Sequence, residues 1–242
     1  MTPKDFIAKY HAAFGNQAPR PIVFGYSNTP ATDARSTQKC IIGDIRKVRQ
    51  KGALTLCDET ITCRGGGLYT QFRPMPDGVT RFVSTIEHYK QTEDMVSEYI
   101  DSLNLSVTKH KYLNLVRIDK IDSFDDYEGI IFLVSPDILS GLCSWAFYDS
   151  NREDTVSTLF GSGCSSIISV GAVENRQGGH RCFIGMLDPS ARTCVAPNEL
   201  SFTIPMCRFK QMLLTLDNSA LFQKAFSLVK KRITKSSETI LM

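Results

Sequence analysis

The sequence contains no long hydrophobic run and no strong excess of either charge. A membrane-spanning helix needs about 18 consecutive apolar residues, whereas the longest apolar runs, such as residues 130–134, have the length of a strand. The 28 basic and 25 acidic residues leave a net charge of +3, which is too small to favour nucleic acid as a partner. These absences exclude a membrane protein and disfavour a nucleic-acid-binding one.

Several motifs that mark catalytic and nucleotide-binding sites are also missing. The four histidines form no H-E-x-x-H pair, so a zinc hydrolase is disfavoured. The G-x-S-x-G elbow is absent, which disfavours a serine hydrolase of the α/β type. Neither the G-x-G-x-x-G fingerprint nor the phosphate-loop lysine motif is present, so a nucleotide site has little support.

The N-terminus lacks the basic and then apolar segments of a secretory signal peptide. We therefore expect a cytoplasmic protein. In that reducing compartment, cysteines are expected to be thiols, metal ligands or redox groups instead of structural disulfides. The chain has eight cysteines, at positions 40, 57, 63, 143, 164, 182, 194 and 207.

The length of 242 residues and the apolar fraction of 42% are those of an ordinary globular protein. We predict one domain over residues 1–242, of α/β class with mixed α+β as the alternative, built from strand-helix-strand units between N- and C-terminal helices. Strands are predicted at 21–26, 53–56, 81–87, 113–121, 129–134, 155–160, 181–187 and 199–204, and helices include 38–51, 92–103 and 136–147.

Two halves of the chain, about 17–90 and 125–210, show a similar order of elements. Each has a strand, a helix, a second strand and then a glycine motif with a cysteine, which suggests an internal duplication. If the halves are related, Cys63 and Cys164 occupy equivalent positions. We expect both to reach a shared crevice, where ligands commonly bind in α/β proteins.

The clearest candidate site is the glycine turn that ends at Cys164. Glycines at a turn before a helix let backbone amides converge, and the helix start favours an anion or a thiolate. Cys164 is accordingly the cysteine expected to have the lowest pKa, and a nucleophilic role assisted by His88, His110 or His180 is one hypothesis. The alternative is a tight packing turn that holds a small buried thiol.

Three further thiols come from one contiguous segment, at Cys40, Cys57 and Cys63. Thiolates are preferred ligands of zinc and of iron–sulfur clusters, although this spacing is not that of a zinc knuckle, and unligated core cysteines are the alternative. Cys143, Cys182, Cys194 and Cys207 are interpreted as packing residues. Near a strand end and its loop, Arg181, Asp188 and Arg192 are either site residues or surface ion pairs.

Five short motifs occur in a characteristic order along most of the chain. In that order they resemble the uncharacterised bacterial and archaeal family known as domain of unknown function one-six-nine. The resemblance implies that Cys40, Cys63 and Cys164 are the family-type cysteines, and it implies no particular reaction. The motifs are Arg20-Pro21-Ile22-Val23, Cys40 with the basic helix ending Lys51-Gly52, Cys63-Arg64-Gly65-Gly66-Gly67, Gly163-Cys164, and Glu199-Leu200-Ser201-Phe202-Thr203-Ile204-Pro205.

These patterns lead to three functional hypotheses. In the first, Cys40, Cys63 and Cys164, with Cys57 as a further candidate ligand, hold a zinc ion or an iron–sulfur cluster for redox work. In the second, a metal-free binding module receives a small anionic ligand. In the third, Cys164 is the nucleophile of a thiol enzyme. The predicted ligand-binding residues are Gly65, Gly66, Gly67, Gly161, Gly163 and Arg192.

Overall fold

The computed structural model describes residues 1–33, 40–159 and 161–239, with side chains to residue 235. These residues form ten α-helices and a seven-stranded sheet. Among the described residues, no helix is both long enough and apolar enough to cross a membrane. The strands are β1 (Ile22–Ser27), β2 (Ala53–Leu56), β3 (Tyr112–Arg117), β4 (Gly129–Val134), β5 (Val156–Thr158), β6 (Cys182–Gly185) and β7 (Leu200–Pro205). The helices are α1 (Pro3–Phe14), α2 (Ile41–Lys51), α3 (Arg64–Tyr69), α4 (Val79–Arg81), α5 (Glu93–Ser102), α6 (Pro136–Tyr148), α7 (Val170–Arg176), α8 (Pro189–Arg192), α9 (Met206–Thr215) and α10 (Ser227–Thr239).

The sheet is mixed, with strand order β2-β3-β1-β4-β7-β6-β5. Neighbouring strands run antiparallel except for β5 and β6, which are parallel. Strand β1 pairs with both β3 and β4, so it lies near the middle of the sheet. This arrangement confirms the α/β mixed class.

Helices cover both faces of the sheet. Side chains alternate between the two faces along each strand, so neighbouring strand residues belong to different cores. Val23 belongs to the core beneath α1, α6 and α9. Ile22 and Phe24 belong to the opposite core, which α2, α5 and the segment after Cys164 cover. The candidate site lies on this second face.

The first helix shows how local sequence starts an element. The side chain of Thr2 accepts a hydrogen bond from the Asp5 backbone amide, and the Asp5 carboxylate accepts one from the Thr2 amide, which is a capping box. Pro3 occupies the first helical position, where its missing amide costs nothing. The helix then buries Phe6 and Tyr10 against the sheet.

The predicted strand at 81–87 is wrong. Helix α4 continues there into a π-helical turn, Phe82–Ile86. The β-branched residues favour a strand by composition, but the hydroxyls of Ser84 and Thr85 donate to the carbonyls of Thr80 and Arg81 four residues earlier. These hydroxyl bonds supply donors to backbone carbonyls within the helical turn. Among the described residues, no strand of the sheet pairs with this segment.

The other strands and helices predicted by range are confirmed within a few residues of their ends, except that the predicted strand 113–121 ends at Arg117 and is followed by a 3₁₀ turn, Ile118–Lys120. Residues 38 and 39 of the helix predicted at 38–51, and residue 160 of the strand predicted at 155–160, lie outside the described residues. The single domain and the internal duplication remain predictions. The helices of the two proposed units, α2 and α6, pack on opposite faces of the sheet.

Candidate functional site

A cavity of about 560 Å³ opens where the two glycine motifs approach one another. This volume is in the range of about 300–1,000 Å³ that small-molecule sites occupy. Its lining combines aromatic and aliphatic side chains with a few charged groups. The lining residues are Cys63, Arg64, Gly65, Tyr69, Pro76, Asp77, Gly78, Val79, Phe82, Val83, Glu87, Tyr89, Lys90, Val96, Tyr99, Gly161, Ser162, Asp188 and Ser190.

Helix α3 forms one wall, and its glycines allow close packing. The backbone amide of Gly66 donates to Cys63 Sγ at 3.4 Å, which makes Cys63 the N-cap of the helix. A Cβ atom at Gly66 would lie 2.9 Å from Ile41 Cδ1, and one at Gly67 would lie 2.8 Å from Arg73 Cδ. Gly65 is different, since a Cβ atom there would make only an ordinary contact with Tyr69, at 3.8 Å. Gly65 lines the cavity.

The turn at 161–163 forms another wall. A Cβ atom on Gly161 would lie only 1.7 Å from Tyr99 Oη, so the absence of a side chain lets the tyrosine reach the cavity. Gly163 packs against Ala191, where an added Cβ would approach to 2.7 Å. Gly161 therefore lines the cavity, whereas Gly163 lies behind it in a tight contact.

Asp188 is a buried carboxylate at the polar end of the cavity. It caps α8 by accepting from the amide of Ser190 at 2.9 Å, and it accepts from the amide of Gly163 at 3.2 Å. The Ser190 hydroxyl also donates to it, and the Tyr89 side chain is hydrogen bonded to it. Partial burial and then the nearby negative charge of Asp188 raise the pKa of Tyr89.

Glu87 brings a second carboxyl group to the same end. Partial burial, followed by repulsion from Asp188, raises the pKa of Glu87 above its ordinary value. Two phenols also line the cavity, of which Tyr69 is buried and Tyr99 is half-buried. Tyr99 Oη lies 3.0 Å from Ser165 Oγ, and Tyr69 is hydrogen bonded to the side chain of Ser162. Burial is the main cause that raises the pKa of both phenols.

Cys164 does not have the low pKa that the sequence predicts. Its side chain is only 8% exposed, and burial raises the pKa of this thiol well above its ordinary value. Nearby Cys40, Cys63 and then Asp188 raise it further. Desolvation disfavours the charged thiolate and outweighs the helix start, so the structure removes the reason for choosing Cys164 as a nucleophile.

Because Cys40 and Cys63 act on the pKa of Cys164 through their charges, both lie near Cys164 in space. Burial raises the pKa of Cys40 as well, and its thiol is hydrogen bonded to Cys194, which also acts on it through charge. From the sequence, Cys194 is interpreted as a packing residue, because its proximity to Cys40 depends on contacts between distant segments. Among the described residues, no group of three or more His, Cys, Asp or Glu side chains is placed to hold a metal ion.

Other predicted site residues lie away from the cavity. Arg192 donates to the carbonyl oxygens of the loop at 196–199, including Pro197 at 2.7 Å, and so it stabilises that loop. Cys57 is buried and caps a short 3₁₀ turn, Asp58–Thr60. His180 Nε2 lies 2.9 Å from Asp154 Oδ1, and Arg181 forms an ion pair with Glu174 at 2.6 Å.

Most of the apolar and aromatic lining of the cavity cannot be recognised from the sequence. Tyr69, Tyr99 and Val96 have the spacing of ordinary core residues, and nothing in the sequence distinguishes a core face from a cavity wall. Glu87 was missed because its segment was predicted as a strand. A helix in this segment could have been predicted from the helical spacing of four apolar residues, Val79, Phe82, Val83 and Ile86.

Comparison with known proteins identifies the family. Neither the curated proteins nor the solved structures give a match to the chain. Residues 16–214 match the DUF169 family, described as uncharacterised ArCR. Because this match covers most of the sequence, the chain belongs to the DUF169 family.

Proposed function

We propose that this protein binds a small organic molecule in the cavity between α3, the 79–90 segment and the turn at 161–163. The observation that carries the proposal is the cavity itself, with its volume of about 560 Å³ and its mostly apolar lining. Val79, Val83 and Val96 supply contact area for an apolar group. Removing such a group from water is favourable by about 25 cal/mol per Å² of apolar surface buried.

The metal-binding hypothesis is a second candidate. It is favoured by the electrostatic influence that Cys40 and Cys63, from the first half of the chain, exert on Cys164 in the second half. The described side chains are not grouped to hold a metal ion, so this candidate ranks behind the cavity proposal. Anaerobic addition of Zn²⁺, or of iron and sulfide, followed by visible absorption and metal analysis tests it. A stoichiometric metal that Cys63→Ser and Cys164→Ser variants fail to retain supports this candidate, and a colourless protein without metal overturns it.

The cavity proposal is tested by filling the space. Val83 lines the cavity, and Val229 is a similarly half-buried valine on α10, packed against the opposite core. We expect Val83→Trp to weaken binding by about tenfold or more, which corresponds to about 1.4 kcal/mol, and Val229→Trp to leave binding unchanged. Binding is measured by calorimetry with 2-phenylethylamine, 2-phenylethanol and 3-phenylpropanoate.

At least one of these three compounds is expected to bind the unmodified protein saturably. Binding that survives Val83→Trp would place the ligand elsewhere and overturn the proposal. A lack of saturable binding by all three compounds would overturn the proposal as well.

The cytoplasmic location remains a prediction, which microscopy of the tagged full-length chain tests.

A further inference from the structure

Three of the backbone amides that the glycine motifs were expected to offer to an anion, those of Gly66, Gly67 and Gly163, already have partners within the protein. The amide of Gly163 donates to Asp188 Oδ2 at 3.2 Å. The amides of Gly66 and Gly67 donate to Cys63, to its Sγ atom and to its carbonyl oxygen at 3.0 Å. Asp188 therefore occupies the position that a bound anion would take at the turn.

This arrangement gives the polar end of the cavity a negative charge. Asp188 is buried and held by the donors of Gly163, Ser190 and Tyr89, so its carboxylate is fixed in place. Glu87 lies close enough to be repelled by it. Within the described residues, no hydrogen bond or ion pair engages the Glu87 carboxyl group.

The two cationic residues of the lining do not neutralise this end. Lys90 Nζ lies 5.5 Å from the centre of the Tyr99 ring, over its face, where the ring's electrons attract the ammonium group. Arg64 is exposed at the first position of α3. The raised pKa of Glu87 agrees with this picture, since repulsion from Asp188 is one of its causes and no cation appears among them.

The aromatic lining suits a cation for a second reason. Tyr69, Tyr89, Tyr99 and Phe82 surround the cavity, and the faces of aromatic rings attract ammonium groups. Carboxylates beside aromatic rings form an environment that favours an amine over a carboxylate or a phosphate. The valines of α4, the π-helical turn and α5 then receive an apolar portion.

We infer that the ligand is an apolar amine whose ammonium group lies between Glu87 and Asp188 and whose hydrocarbon or aromatic part contacts Val79, Val83 and Val96. This inference rests on the proposed function, because it assigns a ligand class to the same cavity. It replaces the anionic ligand that the sequence suggested.

The test compares three compounds with closely related skeletons and different charges. Calorimetry at neutral pH with 2-phenylethylamine, 2-phenylethanol and 3-phenylpropanoate is expected to give the tightest binding for the amine, about tenfold tighter than the alcohol, and the weakest for the acid. Glu87→Gln is expected to reduce amine binding to the level of the alcohol and to leave alcohol binding unchanged. Glu98→Gln is the matched control, since Glu98 is an exposed residue of α5 outside the lining, and it should have no effect.

Failure of this inference differs from failure of the proposed function. The amine inference would be overturned if the three compounds bound equally or the acid bound most tightly. If Val83→Trp still weakened that binding, the cavity would remain the binding site. An amine preference that Glu87→Gln does not change would also overturn the inference. No saturable binding of any compound, or binding unaffected by Val83→Trp, would overturn the cavity proposal and this inference together.

Discussion

At the scale of single residues, burial decides the chemistry of the cysteines. Cys63 is exposed and lines the cavity, whereas Cys164 is buried beside other thiols. Only the thiolate reacts with alkylating agents, and its formation requires both exposure and a pKa near the working pH. The two cysteines that the sequence treats as equivalent therefore differ in reactivity.

We predict that iodoacetamide labels Cys63 at least about tenfold faster than Cys164 in the folded protein. The reason is that desolvation raises the pKa of Cys164 and its side chain is only 8% exposed. Peptide mass spectrometry after timed labelling measures both rates, and labelling in denaturant shows that each site can react. A Cys164 rate that exceeds that of Cys63 and levels off below pH 8 would contradict this account.

At the scale of elements, Gly25 allows the connection before β4 to cross closely over β1. A Cβ atom at Gly25 would lie 2.5 Å from the backbone oxygen of Asp126 and 3.1 Å from the Cα atom of Tyr127. The amide of Glu128 donates to the carbonyl of Phe24 at 2.8 Å beside this contact. Backbone atoms cannot rotate away as a side chain can, so this contact fixes the approach of β4 to β1.

We predict that Gly25→Ala lowers the free energy of unfolding by about 1–3 kcal/mol through steric overlap. Gly65→Ala is the matched control, because the nearest atom to its added Cβ is Tyr69 Cε2 at 3.8 Å. That substitution lies within a helix and is expected to be neutral or to stabilise the protein by up to about 1 kcal/mol. Urea unfolding measures both values, and equal midpoints for the two variants would contradict the argument.

At the scale of the whole molecule, the sequence predicts the elements better than their meeting places. The apolar runs at 22–24 and 130–134 predict strands because strand patterning is local. The proximity of Cys40 to Cys194, and of Glu87 to Asp188, depends on contacts between distant segments. For the candidate site, the motifs locate Cys63, Gly65 and Gly161 at the cavity, and the loop after a strand offers Asp188 as a candidate. Nothing in the sequence indicates the aromatic lining or the place of Glu87 beside Asp188.

The ion pairs around Asp119, one local and one between distant segments, make the stability of the whole molecule depend on pH. Asp119 accepts hydrogen bonds from Arg117, at the end of β3, and from Arg20, just before β1, at 3.1 Å. The hydrogen bond from Arg117 is the main cause that lowers the pKa of Asp119 below its ordinary value of 3.8. The pair therefore stabilises the fold above that value, and its contribution is lost as the pH falls through the lower folded-state pKa.

We predict that Asp119→Asn lowers the free energy of unfolding at pH 7 by up to about 1 kcal/mol, since partly exposed ion pairs contribute little. The difference from the unmodified protein should shrink as the pH falls below the ordinary aspartate value of 3.8. Asp122→Asn, at an exposed position nearby, is the control. Thermal unfolding across the acid range measures the effect, and a deficit that stays constant with pH would contradict the assigned role.

The central claim is that the cavity binds a small molecule, and an NMR titration of the isotopically labelled protein tests it most directly. The titrant is the phenyl compound that binds most tightly. The account predicts saturable chemical-shift changes concentrated at lining residues such as Gly65, Val83 and Gly161, and their loss in Val83→Trp. Shifts that stay unchanged at the lining, or that concentrate on the opposite face around Val229, would contradict it.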